Sequence, residues 1–268
     1  MSNCDHNCDA CKSKCDQDTS LKAPLNPNSN IKKVIAVVSG KGGVGKSLVT
    51  GLLAVSLNRL GNKVGIIDAD ITGPSIPKMF GVKGKLYQND KGIIPLESEN
   101  KIKMISANFI LEHDNDPIVW RSPLISGLVK QFWSNVHWGD IDYMLVDCPP
   151  GTGDVPLTVF QSLNVDGIVI VTSPQELVSV IVEKAIKMAQ MMNVPIIGIV
   201  ENMSYVECPK CNEIIYPFGN SKIENVAKKF NTTLLTRLPI NPNIASSCDN
   251  GKIEDLQFNY FDSFINKL

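Results

Sequence analysis

Residues 39–47 read SGKGGVGKS, and they constrain the fold more than any other stretch of the chain. They match G-x-x-x-x-G-K-[ST] from Gly40 to Ser47. The apolar run Val34, Ile35, Ala36, Val37, Val38 precedes them, and Leu48, Leu52, Leu53, Val55 and Leu57 follow in a helical pattern. Strand, glycine-rich loop and helix, in that order, form the context in which this motif holds phosphate. The glycines let successive backbone N–H groups turn inward around an anion, and the helix behind them presents the positive end of its dipole. Lys46 is placed to reach the outer phosphates and Ser47 to ligate Mg2+. The chain is therefore expected to bind a nucleoside triphosphate through Gly40, Lys41, Gly42, Gly43, Val44, Gly45, Lys46, Ser47 and Leu48.

From about Ile31 the same alternation continues. The segments KKVIAVV, KVGIID, KIKMIS, DYMLVD, DGIVIVT and PIIGIV are close to continuously apolar. Helical patterns separate them: one running to about Leu60, then LISGLVKQFW and ELVSVIVEKAIKMAQMM. Strands apolar on both faces belong to parallel sheets covered by helices on both sides. The expected fold is thus α/β, three layers around a mostly parallel sheet. At 268 residues, 43% of them hydrophobic, the chain has room for one such domain, placed at 30–268. Residues 1–29 are polar and cysteine-rich, end in APLNPNSN, and read as an extension and linker. Residues 78–99 read as an insertion or hairpin beside the sheet. The C-terminal DLQFNYFDSFINKL reads as a core-packing helix with Phe261, Phe264, Ile265 and Leu268 on its apolar face.

A net charge of -1 gives no electrostatic footprint for nucleic acid or an anionic membrane. No apolar stretch approaches the roughly 20 residues of a membrane span. The opening MSNCDHNCDA has neither a basic nor an apolar leader region. A cytoplasmic protein without nucleic-acid or membrane partners is the expectation.

In open parallel sheets, ligands sit beyond the carboxyl ends of the strands. Three such ends carry acids or amides: Asp68-Ala-Asp70, then Asp147 followed by CPPGTGD, then Glu201-Asn202. Asp147 ends its strand where a carboxylate can hold Mg2+, directly or through water.

Eight cysteines in a chain of this kind point to metal or redox chemistry rather than to a disulfide framework. Cys208 and Cys211 form a C-P-K-C pair, and Cys148 and Cys248 stand alone as packing residues. By residue type alone the pair suits half a zinc site, a redox couple or an iron-sulfur site. Cys4, Cys8, Cys11 and Cys15 are spaced C-x3-C-x2-C-x3-C, enough thiolates to close a site unaided. An iron-sulfur cluster, zinc and an unoccupied regulatory tail all fit that spacing, and His6 stands beside it.

The phosphate loop carries a second lysine. K-G-G-x-G-K-[ST] resembles the deviant loop of the dimeric ATPases that include the nitrogenase iron protein, the arsenite pump ATPase and the Min and Par positioning proteins. The resemblance implies a P-loop NTPase in which Lys41 crosses a homodimer interface to the partner's nucleotide. Asp70 resembles the residue of the first switch that positions the attacking water, and DCPPGTGD resembles the second switch. Asn202 resembles the amide that bonds the adenine edge, and Pro239 falls near the other base-contacting loop; ATP over GTP follows from this resemblance. DADITGPSIP, DCPPGTGD, TSPQE and ENMSYVECPKC narrow the likeness to the Mrp/ApbC-type iron-sulfur cluster carriers. In that branch the pair matching Cys208 and Cys211 holds a labile [4Fe-4S] cluster between two protomers, for delivery to apo iron-sulfur proteins. A two-fold axis makes chemical sense of this, since one C-x-x-C supplies two thiolates where four are wanted. Hydrolysis, through Lys41, Lys46 and Asp70, is then slow and regulatory. The N-terminal spacing departs from the longer gaps of the eukaryotic members, which leaves its cofactor open. Two rivals remain: a positioning ATPase, which would want a basic face or tail, and an electron-transfer reductase, whose cluster cysteines would stand well apart in sequence.

Overall fold

A computed structural model of the chain describes residues 22–70, 73, 75–110, 122–175, 178–265 and 268. The first strand, β1 (Asn30–Ser39), leads through the glycine-rich loop into α1 (Lys46–Arg59), and the chain returns as β2 (Val64–Asp68). After α2 (Ile76–Met79) come a small hairpin, β3 (Tyr87–Asn89) and β4 (Gly92–Ile94), then β5 (Leu96–Glu97) and β6 (Lys103–Ser106). The second half alternates α3 (Ser122–Ser134), β7 (Asp140–Asp147), α4 (Asp154–Ser162), β8 (Gly167–Thr172), α5 (Val178–Met191) and β9 (Ile196–Glu207). It closes with β10 (Ile214–Ile215), α6 (Ile223–Lys229), β11 (Leu234–Pro239) and α7 (Pro242–Asp249).

The main sheet runs β5-β6-β2-β7-β1-β8-β9-β10, with β11 also paired to β9. All pairings are parallel except β5 on β6 and β10 on β9. The strand that feeds the loop is therefore central. Its side chains alternate between two cores: Val34, Ala36 and Val38 face one with α3, α4 and α5, whereas Ile35 and Val37 face the other with α1. That two-sided burial is why the sequence reads as an uninterrupted apolar run.

Two segments depart from expectation, and a third, expected as an insertion or hairpin beside the sheet, holds such a hairpin. Residues 22–29 lie against the body instead of hanging from it. Ala23 donates its backbone N–H to Ser162 O, and Trp133 Nε1 and Ser134 Oγ donate to the carbonyls of Ala23 and Pro24. Asn26, only 4% exposed, donates to Lys91 O. The two prolines at 24 and 27 hold the strap extended and keep its carbonyls available, the same residues that read as a linker in sequence. The stretch 78–99 contains the end of α2 as well as the β3–β4 hairpin, and β5 joins the main sheet at its edge. At the C-terminus Phe261, Phe264, Ile265 and Leu268 are buried as expected, but in successive turns rather than a regular helix. Aromatic packing shapes those turns. Phe258 stacks on Tyr260, Phe261 meets Phe258 and Phe264 edge-on, and the Arg59 guanidinium lies 4.9 Å over the Phe258 ring.

Candidate functional site: a phosphate loop and a cysteine hairpin

The loop between β1 and α1 has the backbone its glycines permit. Gly43 and Gly45 take φ of 78° and 79°, the left-handed region that side chains disfavour. A Cβ on Gly45 would also fall 2.2 Å from Asn202 Nδ2 and displace the amide that binds Val44 O. No side chain caps α1 and no acid lies in its first turn. Its leading N–H groups are left to an anionic ligand, which the dipole favours.

Behind the loop stands a buried polar cluster. Lys46, 5% exposed, places Nζ 2.7 Å from Asp147 Oδ2 and 3.5 Å from Asp70 Oδ2. Ser47 Oγ donates to Asp147 Oδ2 at 2.6 Å, and Thr50 Oγ1 donates to Oδ1 at 2.7 Å. Asp68 pairs with Asp147 across β2 and β7 and accepts from Ser106 Oγ at 3.1 Å. Burial drives the Asp68 carboxyl well above its ordinary value, with the Asp147 charge adding to the effect. For Lys46, burial works against the charge, but Asp147 and then Asp70 outweigh it and the ammonium is held above its usual range. A hydroxyl and a carboxylate 2.6 Å apart, beside a loop of N–H donors, are the donor set that a Mg2+-bound triphosphate requires.

Two neighbouring cavities open here. One, about 290 Å³, is lined by Gly42 to Leu48 with Asp70, Ser75, Met79 and Pro150. The second, about 260 Å³ and more apolar, shares Leu48 and Met79 and extends over Asn202, Met203, Pro239, Ile240 and Cys248. Asn202 and Pro239 thus meet at one slot. Asn202 Nδ2 is engaged by Val44 O at 2.9 Å, which leaves its Oδ1 as an acceptor. Lys41 does not line either cavity. Its Nζ donates instead to Gln175 Oε1, on the loop after β8.

β9 continues beyond the expected PIIGIV to Glu207 and turns into β10, and this hairpin bears the cysteine pair. Cys208 N donates to Glu213 O and Asn212 N to Cys208 O, both at 2.9 Å. Cys208 is partly exposed and Cys211 exposed. The backbone N–H of Lys210, then that of Cys211, and the Cys211 thiol hydrogen-bond the Cys208 sulfur and lower its pKa. Among the described residues no group of three or more His, Cys, Asp or Glu side chains is arranged to hold a metal. From Asn202 to Cys208 the strand covers roughly 20 Å at about 3.3 Å per residue. Cys148 is fully buried and its thiol is pushed up by burial, while burial raises Cys248 to about 11. Cys4, Cys8, Cys11 and Cys15 lie outside the described residues, as do Ile71, Thr72 and Pro74 after Asp70.

Sequence reasoning gave no role to Thr50, Asp68, Gln175 or Arg237. Thr50 could have been found, since it follows Ser47 by three residues on the same helix face. Gln175 and Arg237 gain meaning only from contacts between segments far apart in sequence.

A family model of the ParA group, described as the NUBPL iron-transfer P-loop NTPase, matches residues 30–265. An iron-sulfur cluster carrier protein of Methanocaldococcus jannaschii is 45% identical over 260 residues, covering 94% of this chain and 90% of its own. A cytosolic Fe-S cluster assembly factor NUBP2 homolog of Dictyostelium discoideum is 40% identical over 242 residues, 88% of this chain and 89% of its own. Among solved structures, a nucleotide-binding protein of Archaeoglobus fulgidus, in complex with ADP and with cobalt found in it, superposes with a TM-score of 0.79. It is 46% identical and covers 87% of this chain and 91% of its own. MinD of Pyrococcus horikoshii, complexed with Mg-ADP, reaches 0.59 at 22% identity over 88% of this chain and 95% of its own, a likeness of fold alone.

Proposed function

The chain belongs to the NUBPL-type iron-transfer P-loop NTPases of the ParA family, and on that premise we propose that it is an ATP-hydrolysing iron-sulfur cluster carrier. Cys208 and Cys211 hold the cluster and the chain passes it to apo iron-sulfur proteins. The observation that carries the reading is β9 itself. One strand presents Asn202 to the phosphate loop and, six residues later, an exposed dithiol with a lowered thiol pKa.

The finer assignments rest on the same geometry. Ser47 and Asp147 hold Mg2+. Lys46 contacts the outer phosphates, while Asp70 positions the attacking water. The free Asn202 oxygen accepts from the exocyclic amine of adenine, an arrangement that guanine, with a carbonyl at that position, does not satisfy. Two thiols per chain and four per cubane favour a [4Fe-4S] cargo shared across a homodimer. Lys41, turned away from its own cavity, is available to the partner's nucleotide. The reading divides the chain into a cysteine-rich extension at 1–29, whose residues 22–29 dock on the body, and an ATPase domain at 30–268, with Cys4, Cys8, Cys11 and Cys15 as a separate metal-binding group. A cytoplasmic location agrees with the name of the Dictyostelium relative, and no described helix is long and apolar enough to cross a membrane.

Anaerobic reconstitution of the full chain and its Cys208→Ala and Cys211→Ala variants tests the reading. Visible and EPR spectra with iron, sulfide and zinc counts should show a labile cluster that both substitutions abolish. Zinc in place of iron in the reconstituted wild type would overturn it.

A further inference from the structure

Glu201 is a fully buried carboxylate to which the nucleotide and thiol chemistry assigns no task. A buried charge persists only where several partners hold it, and here they come from every direction. It accepts from Ser204 Oγ at 2.7 Å on its own strand, from Ser221 Oγ, and from Arg237 Nε at 3.1 Å on the neighbouring strand β11. Ser221 in turn accepts from the backbone N–H of Ile223 at the start of α6, and Arg237 Nη2 reaches Glu224 Oε1 at 2.9 Å. One side chain thus ties β9, β11 and the segment by which the cysteine hairpin returns to the fold.

On the other side, the nucleotide site touches the same strands. Asn202, next in sequence, binds Val44 O of the phosphate loop. Met203 follows with φ 57°, a left-handed backbone at a residue that bears a side chain. It lines the apolar slot opposite Pro239 and Ile240, and Ile240 N donates to Tyr205 O at 2.7 Å. A base in that slot would press on both strands between the Glu201 clamp and Cys208. Register shifts between β11 and β9 fall in the same stretch, between Arg237 and Pro239.

We propose that Glu201 and Arg237 are positioning residues that transmit occupancy of the base slot to the placement of Cys208 and Cys211. The proposal rests on the reading that the slot takes a nucleotide base and the cysteine pair takes the cargo. Met203 is the joint: its backbone setting fixes the direction in which β9 leaves the sheet, and the clamp holds the strands on which that joint turns.

The test uses the full, reduced, metal-free chain, with site-resolved iodoacetamide labelling of Cys208 and Cys211 in the presence and absence of Mg-ADP. In the wild type ADP should change the Cys208 rate about fivefold or more, the lower end of typical coupling between sites. Glu201→Gln and Arg237→Lys should bind ADP with wild-type affinity, measured by isothermal titration with Mg-ADP, yet lose that change. Lysine keeps the charge but lacks the fork that joins Glu201 to Glu224, so Arg237→Lys carries the test should Glu201→Gln fail to fold. A variant that retains the wild-type ratio, or a wild type with no ADP effect, overturns the proposal. Iron loading of the same preparations separates the two readings. A wild type that couples but loads no iron overturns the carrier function and upholds the clamp; one that loads iron without coupling overturns the clamp alone.

Discussion

Lys41 and Lys46 are equal in charge and five residues apart, yet their surroundings predict different failures. Lys46 is buried with its ammonium directed at Asp147 and Asp70 inside the phosphate cavity. Lys46→Ala removes at least one charge-assisted hydrogen bond to the ligand, of about 1.5–3 kcal/mol, and leaves the carboxylate cluster without its cation. The expected loss is about 2–3.5 kcal/mol of Mg-ATP affinity, roughly 30- to 400-fold in Kd. Lys41 makes one exposed hydrogen bond, to Gln175, and does not line its own cavity. Lys41→Ala should shift Kd by less than about threefold, the scale of an exposed contact under roughly 0.7 kcal/mol. Hydrolysis should nevertheless disappear if, as proposed, the lysine acts on the partner's phosphate. Isothermal titration with Mg-ATP, steady-state phosphate release and circular dichroism to confirm folding measure all three quantities. Equal losses of affinity in the two variants would refute the reasoning.

The remaining predictions concern the carboxylates, the helix behind the loop and the thiols. Asp70→Asn keeps size and removes charge, so Mg-ATP should bind and the ATP-bound dimer accumulate, visible by light scattering; wild-type turnover would remove Asp70 from the mechanism. Thr50→Val preserves shape but deprives fully buried Asp147 of a donor at 2.7 Å. Urea denaturation should register a loss of about 1.5–3 kcal/mol, the usual value for a hydrogen bond to a charged group, and a change within error would show that the contact is idle. The thiols should separate by pH. Hydrogen bonds favour the Cys208 thiolate, so its alkylation should persist to lower pH than that of an ordinary cysteine, whereas Cys248, raised to about 11, stays slow near pH 8. Fully buried Cys148 should label only on unfolding, and a pH profile for Cys208 that matches Cys248 would contradict the assignment.

How much of this was legible in the sequence depends on the range of the contacts involved. The phosphate loop and the strands around it were readable because glycine spacing and two-sided apolar runs are local signals, and the structure places Lys46, Ser47 and Asp70 around one cavity, with Asp147 paired to Lys46 behind it, while Gly40 packs against Ile181 of α5. Asn202 and Pro239 could be located through resemblance, and they converge on one slot because β9 and β11 are paired in parallel. The strap at 22–29 was misread because proline and asparagine signal both a linker and a rigid docked segment, and only Trp133 and Lys91, far along the chain, distinguish the two. The C-terminal apolar spacing fits a helix, yet aromatic side chains can satisfy the same burial in turns, as Phe258, Phe261 and Phe264 do here. The Glu201–Arg237 clamp joins residues 36 positions apart and leaves no periodic trace.

The central claim is that Cys208 and Cys211 of two chains share one transferable cluster. Its most direct test is the iron and sulfide count per chain, with oligomeric mass, after anaerobic reconstitution of a chain lacking residues 1–21, which removes the N-terminal cysteines and spares the docked strap. The account predicts a dimer with about four irons and four sulfides per two chains, the content of a single cubane, and none in the same chain carrying Cys208→Ala. A truncated chain that binds no iron, or a Cys208→Ala variant that keeps its full complement, would contradict it.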